Sequence, residues 1–190
     1  WMHDENVVHF MRADFQHKTL GECERFIASS QEDSENIHLA AVDDIDTYMG
    51  TVSLKNIDND SAEFAITMRR AAMGKGYAAE AMKQIIDKGF NELGLEYIYW
   101  YVRPENKRAV RFYDKNGYQR MSFNKLCDQL NKTELFEIRG GRGYQKKRNI
   151  TSGTSCKTTK QKSSREIKYS ETIKYEKSFC SGSEKYGGER

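Results

Sequence analysis

Residues 62–82 read AEFAITMRRAAMGKGYAAEAM, and this stretch decides the architecture. Its first seven residues have the composition of a short strand. Five residues, 69–73, then lead to Gly74-Lys75-Gly76. From residue 76 onward, Ala78, Ala81, Met82, Ile85, Ile86, Phe90 and Leu93 recur at the spacing of a helix laid on a sheet. Strand, glycine loop and helix therefore follow one another. Glycines let the main chain turn sharply and come close to a ligand. The start of the helix adds N–H groups without intrahelical partners and the positive end of the dipole. That combination binds phosphate, and Lys75 adds a point charge beside it.

The loop alone fits more than one ligand. Gly74-x-Gly76-x-x-Ala79 also satisfies the dinucleotide fingerprint. In that unit, however, the glycines follow an apolar strand directly and a parallel repeat surrounds them. Here residues 69–73 intervene, and the strands upstream read as antiparallel neighbours. A Walker loop is excluded, because no Gly-Lys-Ser/Thr follows four spacer residues. A glycine turn that merely starts a helix is the remaining alternative.

Working toward the N-terminus, the turn Asp58-Asn59-Asp60 joins the strand at 62–68 to an alternating run at 48–57, YMGTVSLKNI. Asp43-Asp44-Ile45-Asp46 supplies another turn after the apolar strand 37–42. Residues 19–30 predict a helix with Leu20, Cys23, Phe26 and Ile27 on one face. Toward the C-terminus, Gly94 ends the long helix. EYIYWYV, 96–102, is apolar on both faces, as a mid-sheet strand is, and Pro104 stops it. Residues 106–115 predict a shorter helix with Ala109, Val110 and Tyr113 on one side and Gly117 as its cap. Residues 118–123 and 134–138 read as two last strands.

Composition divides the chain at residue 139. Residues 1–139 hold 18 Lys+Arg against 23 Asp+Glu, a net of −5. Residues 140–190 hold 13 against 5, a net of +8. The expected organisation is one domain at 1–139 and a basic, low-complexity tail at 140–190. The tail has too few aliphatic side chains to offset the entropy of ordering, so disorder is expected there. No apolar run reaches the roughly 20 residues of a membrane span, so no membrane partner is expected. Cys23, Cys127, Cys156 and Cys180 form no Cys-x-x-Cys pair, and His3, His9, His17 and His38 show no ligand spacing. No metal is expected, and free thiols fit a reducing cytoplasm. Trp1, Phe10 and Phe15 suit an acceptor pocket or a core. Tyr97, Tyr99 and Tyr101, alternating with Trp100, fit a buried strand better than a nucleobase platform.

From residue 48 to 121 the chain resembles the GNAT superfamily of N-acetyltransferases. The resemblance rests on four linked pieces: YMGTVSL, AEFAITMRRAAMGKGYAAEAM, GFNELGLEYIYWYV and NKRAVRFYDKNGY. The family's loop pattern is Gln/Arg-x-x-Gly-x-Gly/Ala. Gly76 and Ala78 match it, while Met73 stands where the family has Gln or Arg. The opening WMHDENVVHFM resembles the first helix of the subgroup holding ribosomal-protein N-terminal and amino-sugar acetyltransferases. By that likeness the first strand would lie upstream of Trp1. The absence of an initiator Met likewise suggests a fragment or processed form. The implied fold is α+β, a mixed, mostly antiparallel, splayed sheet flanked by helices.

The resemblance further implies acetyl-CoA as cosubstrate, with direct attack of a primary amine on the thioester. Met73, Gly74, Lys75, Gly76, Tyr77 and Ala78 would hold the phosphates. Ile66, Thr67 and Met68 would border the pantetheine arm, opposite a splayed neighbour at 99–102. Asn106 matches the asparagine that bonds the arm, and it also suits an N-cap. Tyr113 matches the tyrosine that protonates the departing thiolate. Its alternative is a core tyrosine. Glu63 is the candidate base, because an alkyl amine must lose a proton before attack. Its alternative is a solvated strand carboxylate. The acceptor stays open among small-molecule amines and protein N-termini, and so does a homodimer. Two other readings remain: a non-catalytic acyl-CoA-binding domain, and nucleic-acid binding through the basic tail, with Arg139-Gly140-Gly141-Arg142 as its sign.

Overall fold

A computed structural model of the protein describes residues 1–11, 13–121 and 142–148. The chain opens with one helical turn, α1 (Glu5–Val8), capped by Asp4. Helix α2 (Leu20–Ser30) starts at a capping box. Thr19 Oγ1 accepts from the Glu22 N–H at 3.3 Å, and Glu22 Oε2 accepts from the Thr19 N–H at 2.8 Å. The bonds from Thr19, main chain first, hold the Glu22 carboxyl down at about 2.

Strands β1 (Ile37–Val42), β2 (Tyr48–Lys55) and β3 (Ser61–Met68) follow. Aspartates close both connections by accepting main-chain bonds, which is what short acidic side chains do in turns. Asp43 Oδ1 takes the N–H groups of Ile45 and Thr47 at 3.1 and 2.8 Å. Asp58 Oδ1 takes those of Asp60 and Ser61 at 3.0 and 2.7 Å. A 3-10 turn (Arg70–Ala72) leads from β3 to helix α3 (Tyr77–Asn91). Strand β4 (Tyr97–Val102), helix α4 (Lys107–Lys115) and strands β5 (Gln119–Arg120) and β6 (Arg142–Lys147) complete the described elements.

The six strands bond in the order β1-β2-β3-β4-β6-β5. Strands β3 and β4 are parallel, over three pairs only: Ser61 with Tyr97, Ala62 with Ile98, and Glu63 with Tyr99. On its other side β4 is antiparallel to β6 along its whole length, from Tyr97 with Lys147 to Val102 with Arg142. The β3–β4 ladder thus stops halfway along β4, while the β4–β6 ladder runs to its end. The last β3–β4 pair, Glu63 with Tyr99, falls on the first residue of the expected splay.

By compactness the described residues fall into two units. The first takes Trp1–Ser53 and Ile66–Ile85; the second takes Leu54–Ala65 and the residues from Ile86 onward. In the first, Ala40, Val42 and Tyr48 form a buried cluster on which Trp1 packs, and the Trp1 ring meets that of Phe15 at 5.1 Å. Gly50 lies against β3 so closely that a Cβ there would stand 2.3 Å from the Thr67 carbonyl oxygen and 2.6 Å from Met68 Sδ. Backbone gives way less readily than a side chain. Gly50→Ala is therefore expected to destabilise the protein by about 3 kcal/mol, read as a fall in the urea midpoint. An unchanged midpoint would mean that β3 shifts at little cost. In the second unit, Leu54, Phe64, Ile98, Trp100 and Tyr144 are buried together with Gly89, whose missing Cβ leaves room for Ile98 and Leu54.

Strand β6 lies within the stretch assigned to a tail beginning at residue 140, yet it pairs with β4 and β5. Tyr144 explains this, since it is fully buried and stacks on Trp100 at 6.1 Å and 11°. One aromatic anchor and a complete ladder order a segment whose composition is otherwise polar. The expected strand at 118–123 appears as β5 over Gln119–Arg120, its last two residues lying outside the described ones. The expected strand at 134–138 and the tail from 149 onward lie outside the described residues, as do Cys127, Cys156 and Cys180.

Candidate active site

The glycine loop belongs to the first unit. After the 3-10 turn, the Met73 N–H bonds the Arg70 carbonyl at 3.1 Å and the Lys75 N–H reaches the Ala72 carbonyl at 3.4 Å. Gly74 and Gly76 have φ of 75° and 90°, a region that disfavours other residues. A Cβ built at either would find no protein atom within 4 Å. At the helix start, the N–H groups of Ala79 and Glu80 both bond the Gly76 carbonyl. Among the described residues, the amides of Gly74, Gly76, Tyr77 and Ala78 have no protein acceptor. Positive φ by itself explains the glycines; the open space and the open amides add room and donors for an anion. Gly74, Lys75 and Gly76 are exposed, and Met73, Tyr77 and Ala78 are half-buried. At the end of β3, Ile66 and Thr67 are half-buried and Met68 is buried.

Glu63 belongs to the second unit and is 5% exposed, so the solvated-carboxylate alternative does not hold. Lys55 Nζ donates to its Oε1 and Asn56 Nδ2 to its Oε2, each at 3.2 Å. The turn at 56–60 returns the chain so that Lys55 meets Glu63. Neither partner stood out in the sequence, because the pairing exists only once the hairpin register is known. That register continues as a polar row. Glu63 lies opposite Tyr99, Tyr99 opposite Gln145, and Gln145 opposite Gln119, whose Oε1 accepts from Gln145 Nε2 at 3.1 Å.

Tyr113 sits in an aromatic cluster of the same unit. Its ring lies 5.4 Å from Trp100, 5.1 Å from Tyr144 and 6.2 Å from Tyr118. Burial first, then Tyr118 and Tyr144, push its phenol pKa well above the ordinary value. It therefore carries its proton throughout the physiological range. Its hydroxyl has no hydrogen-bond partner among the described residues. The core-tyrosine alternative accounts for the ring and leaves the hydroxyl unassigned. Tyr144 contrasts with it: its hydroxyl donates to Asp114 Oδ1 at 3.0 Å, and Arg120 grips the same carboxylate at 3.0 and 2.6 Å. Asn106 caps α4, its Oδ1 accepting from the Ala109 N–H at 3.2 Å.

A family profile described as an acetyltransferase (GNAT) domain matches residues 1–119. The chain belongs to the GNAT acetyltransferase family. An uncharacterized N-acetyltransferase, p20 of Bacillus licheniformis, is 33% identical over 93 residues, 48% of this chain and 52% of that protein. A spermidine N(1)-acetyltransferase of Vibrio cholerae is 36% identical over 72 residues, 37% of this chain and 42% of that protein. The chain thus spans about half the length of these relatives, or less. The crystal structure of spermidine N-acetyltransferase from Vibrio cholerae in complex with CoA and spermine is similar at a TM-score of 0.58 and 25% identity. That likeness covers 64% of this chain and 72% of the other.

The open amides of Gly74, Gly76, Tyr77 and Ala78 have the chemistry to hold the phosphates of coenzyme A. Lys55 and Asn56, which grip Glu63, are residues that sequence reasoning did not single out. Among the described residues no helix is long and apolar enough to cross a membrane.

Proposed function

We propose that this chain transfers the acetyl group of acetyl-CoA to a primary amine of a small polyamine. The observation that carries the reading is the set of amides at Gly74, Gly76, Tyr77 and Ala78, without protein acceptors and beneath two open Cβ positions. The acceptor class draws on the relatives named as spermidine acetyltransferases. The net charge of −5 over residues 1–139 favours the approach of a polycation.

Acetyl-CoA, when bound, supplies a thioester carbonyl open to attack by an amine. The amides of Gly74, Gly76, Tyr77 and Ala78 bind its phosphates, Lys75 adds charge beside them, and Met73 takes the place of the usual polar residue. The main chain at Ile66, Thr67 and Met68 borders the arm, and Asn106 Nδ2 bonds it while Oδ1 keeps its cap. Glu63, oriented by Lys55 and Asn56, accepts a proton from the ammonium through water, so that the neutral amine attacks. Tyr113 gives its proton to the leaving thiolate.

The test is release of free thiol from acetyl-CoA with spermidine, spermine, an amino sugar and a peptide N-terminus offered in turn. Turnover with the polyamines is expected. Saturable binding of acetyl-CoA without turnover on any amine would make the chain an acyl-CoA-binding domain instead.

A further inference from the structure

Lys55 and Glu63 meet inside the second unit, across the hairpin of β2 and β3. The Glu63 side chain is 6% exposed and that of Lys55 29%, so the ion pair runs from the interior out to solvent. The carboxylate oxygens are gripped by different donors, Lys55 Nζ on Oε1 and Asn56 Nδ2 on Oε2. These donors differ in freedom. Asn56 sits at φ 50°, a left-handed conformation that asparagine tolerates, and its short side chain follows that fixed backbone. Lys55 reaches the carboxylate on a long, flexible stem with freely rotating N–H groups. A buried carboxylate stripped of its cation is strongly destabilised. The Lys55 ammonium is therefore released in exchange for another cation. No preformed cavity is needed, since the newcomer takes the place that Lys55 Nζ vacates. That place already holds an alkylammonium, the group a polyamine carries at its ends.

We propose that the acceptor amine docks as its primary ammonium on Glu63 Oε1 by exchange with Lys55. Lys55 is thus a positioning residue, a tethered competitor that favours amines able to replace its hydrogen bond. This rests on the reading of Glu63 as the group that meets the amine. The competing account is a fixed ion pair that only braces the hairpin.

The test is calorimetric titration of spermidine into the full chain at fixed ionic strength. Lys55→Met removes the competing charge and keeps the length of the stem. It is expected to tighten spermidine about tenfold, the scale of one charge-assisted hydrogen bond. In a Glu63→Gln background the same change should alter affinity by less than about twofold. Lys55→Arg should weaken spermidine, because a guanidinium holds a carboxylate by two parallel bonds. Equal tightening in both backgrounds would mean that only general charge repulsion was relieved, and it overturns the proposal. So does an unchanged affinity in Lys55→Met. Should Lys55→Met fail to fold, Lys55→Arg decides, and an affinity equal to or tighter than wild type overturns the proposal. None of these readings uses acetyl-CoA. The expected cycle without thiol release on any amine would therefore sink the transfer reading and leave the ammonium site in place. Thiol release with affinities indifferent to Lys55 would do the reverse.

Discussion

Gly76→Asp is expected to abolish the thermal stabilisation that coenzyme A gives, while Gly76→Asn retains part of it. Both side chains enter the same backbone, at φ 90°, and both tolerate positive φ better than most residues. Each costs about 1–2 kcal/mol of fold stability for that conformation. Neither meets protein, since nothing lies within 4 Å of the Cβ position. The two variants therefore differ by one negative charge at the amides of Gly74, Gly76, Tyr77 and Ala78. At roughly 5 Å and an effective dielectric of about 20, a carboxylate repels one phosphate charge by about 3 kcal/mol. That is more than a hundredfold in affinity. Coenzyme A at a hundred times its dissociation constant adds about 2.7 kcal/mol to the wild type. The same concentration should add under about 0.5 kcal/mol to the Asp variant. Equal shifts in wild type and Gly76→Asp would place the phosphates somewhere else.

Tyr113→Phe is expected to lower kcat by about 10²–10³-fold while coenzyme A affinity stays within about twofold. The ring, which holds the contacts with Trp100 and Tyr144, is kept; only the hydroxyl is lost, and it bonds nothing among the described residues. Stability near neutral pH should thus be unchanged. The alkaline side should differ. The folded phenol pKa is raised above the unfolded value of about 10. As pH climbs past about 10, the unfolded chain releases this proton first and so binds fewer protons than the native state. Stability is full below that pH and falls above it, by up to about 1.4 kcal/mol per pH unit for this one group. Urea midpoints at pH 9 and 11 should show a smaller drop in Tyr113→Phe, with the remainder assigned to Tyr118 and Tyr144, whose pKa values are also raised. Unaltered turnover in the variant would reduce Tyr113 to a packing residue.

Most elements were legible because their physics is local. The α2 capping box is written as Thr19 and Glu22, three apart. The two hairpins are written as aspartate turns, and α3 as an apolar stripe running from Ala78 to Phe90. The glycines at 74 and 76 were readable for the same reason, since a positive φ is a property of single residues. The expected boundary at 139 leaves β6 on the tail side because that strand has almost no local signal. Arg142–Lys147 offers one aromatic, and that residue is informative only beside Trp100.

The candidate site divides in the same way. Its loop, its tyrosine and its carboxylate were named from the residues and the family likeness. Their states were not. Whether Glu63 is solvated or gripped by Lys55 and Asn56 depends on a cross-strand register. Whether Tyr113 keeps its hydroxyl free of partners among the described residues depends on which rings the sheet and α4 press together. The amino-acid order alone determined the succession of elements and the backbone freedom of the loop, because turns, caps and periodicity act within a few residues. Only the tertiary structure decided which polar atoms are satisfied. Hydrogen bonding and burial are settled by neighbours brought from far along the chain, as Tyr144 is brought to Asp114.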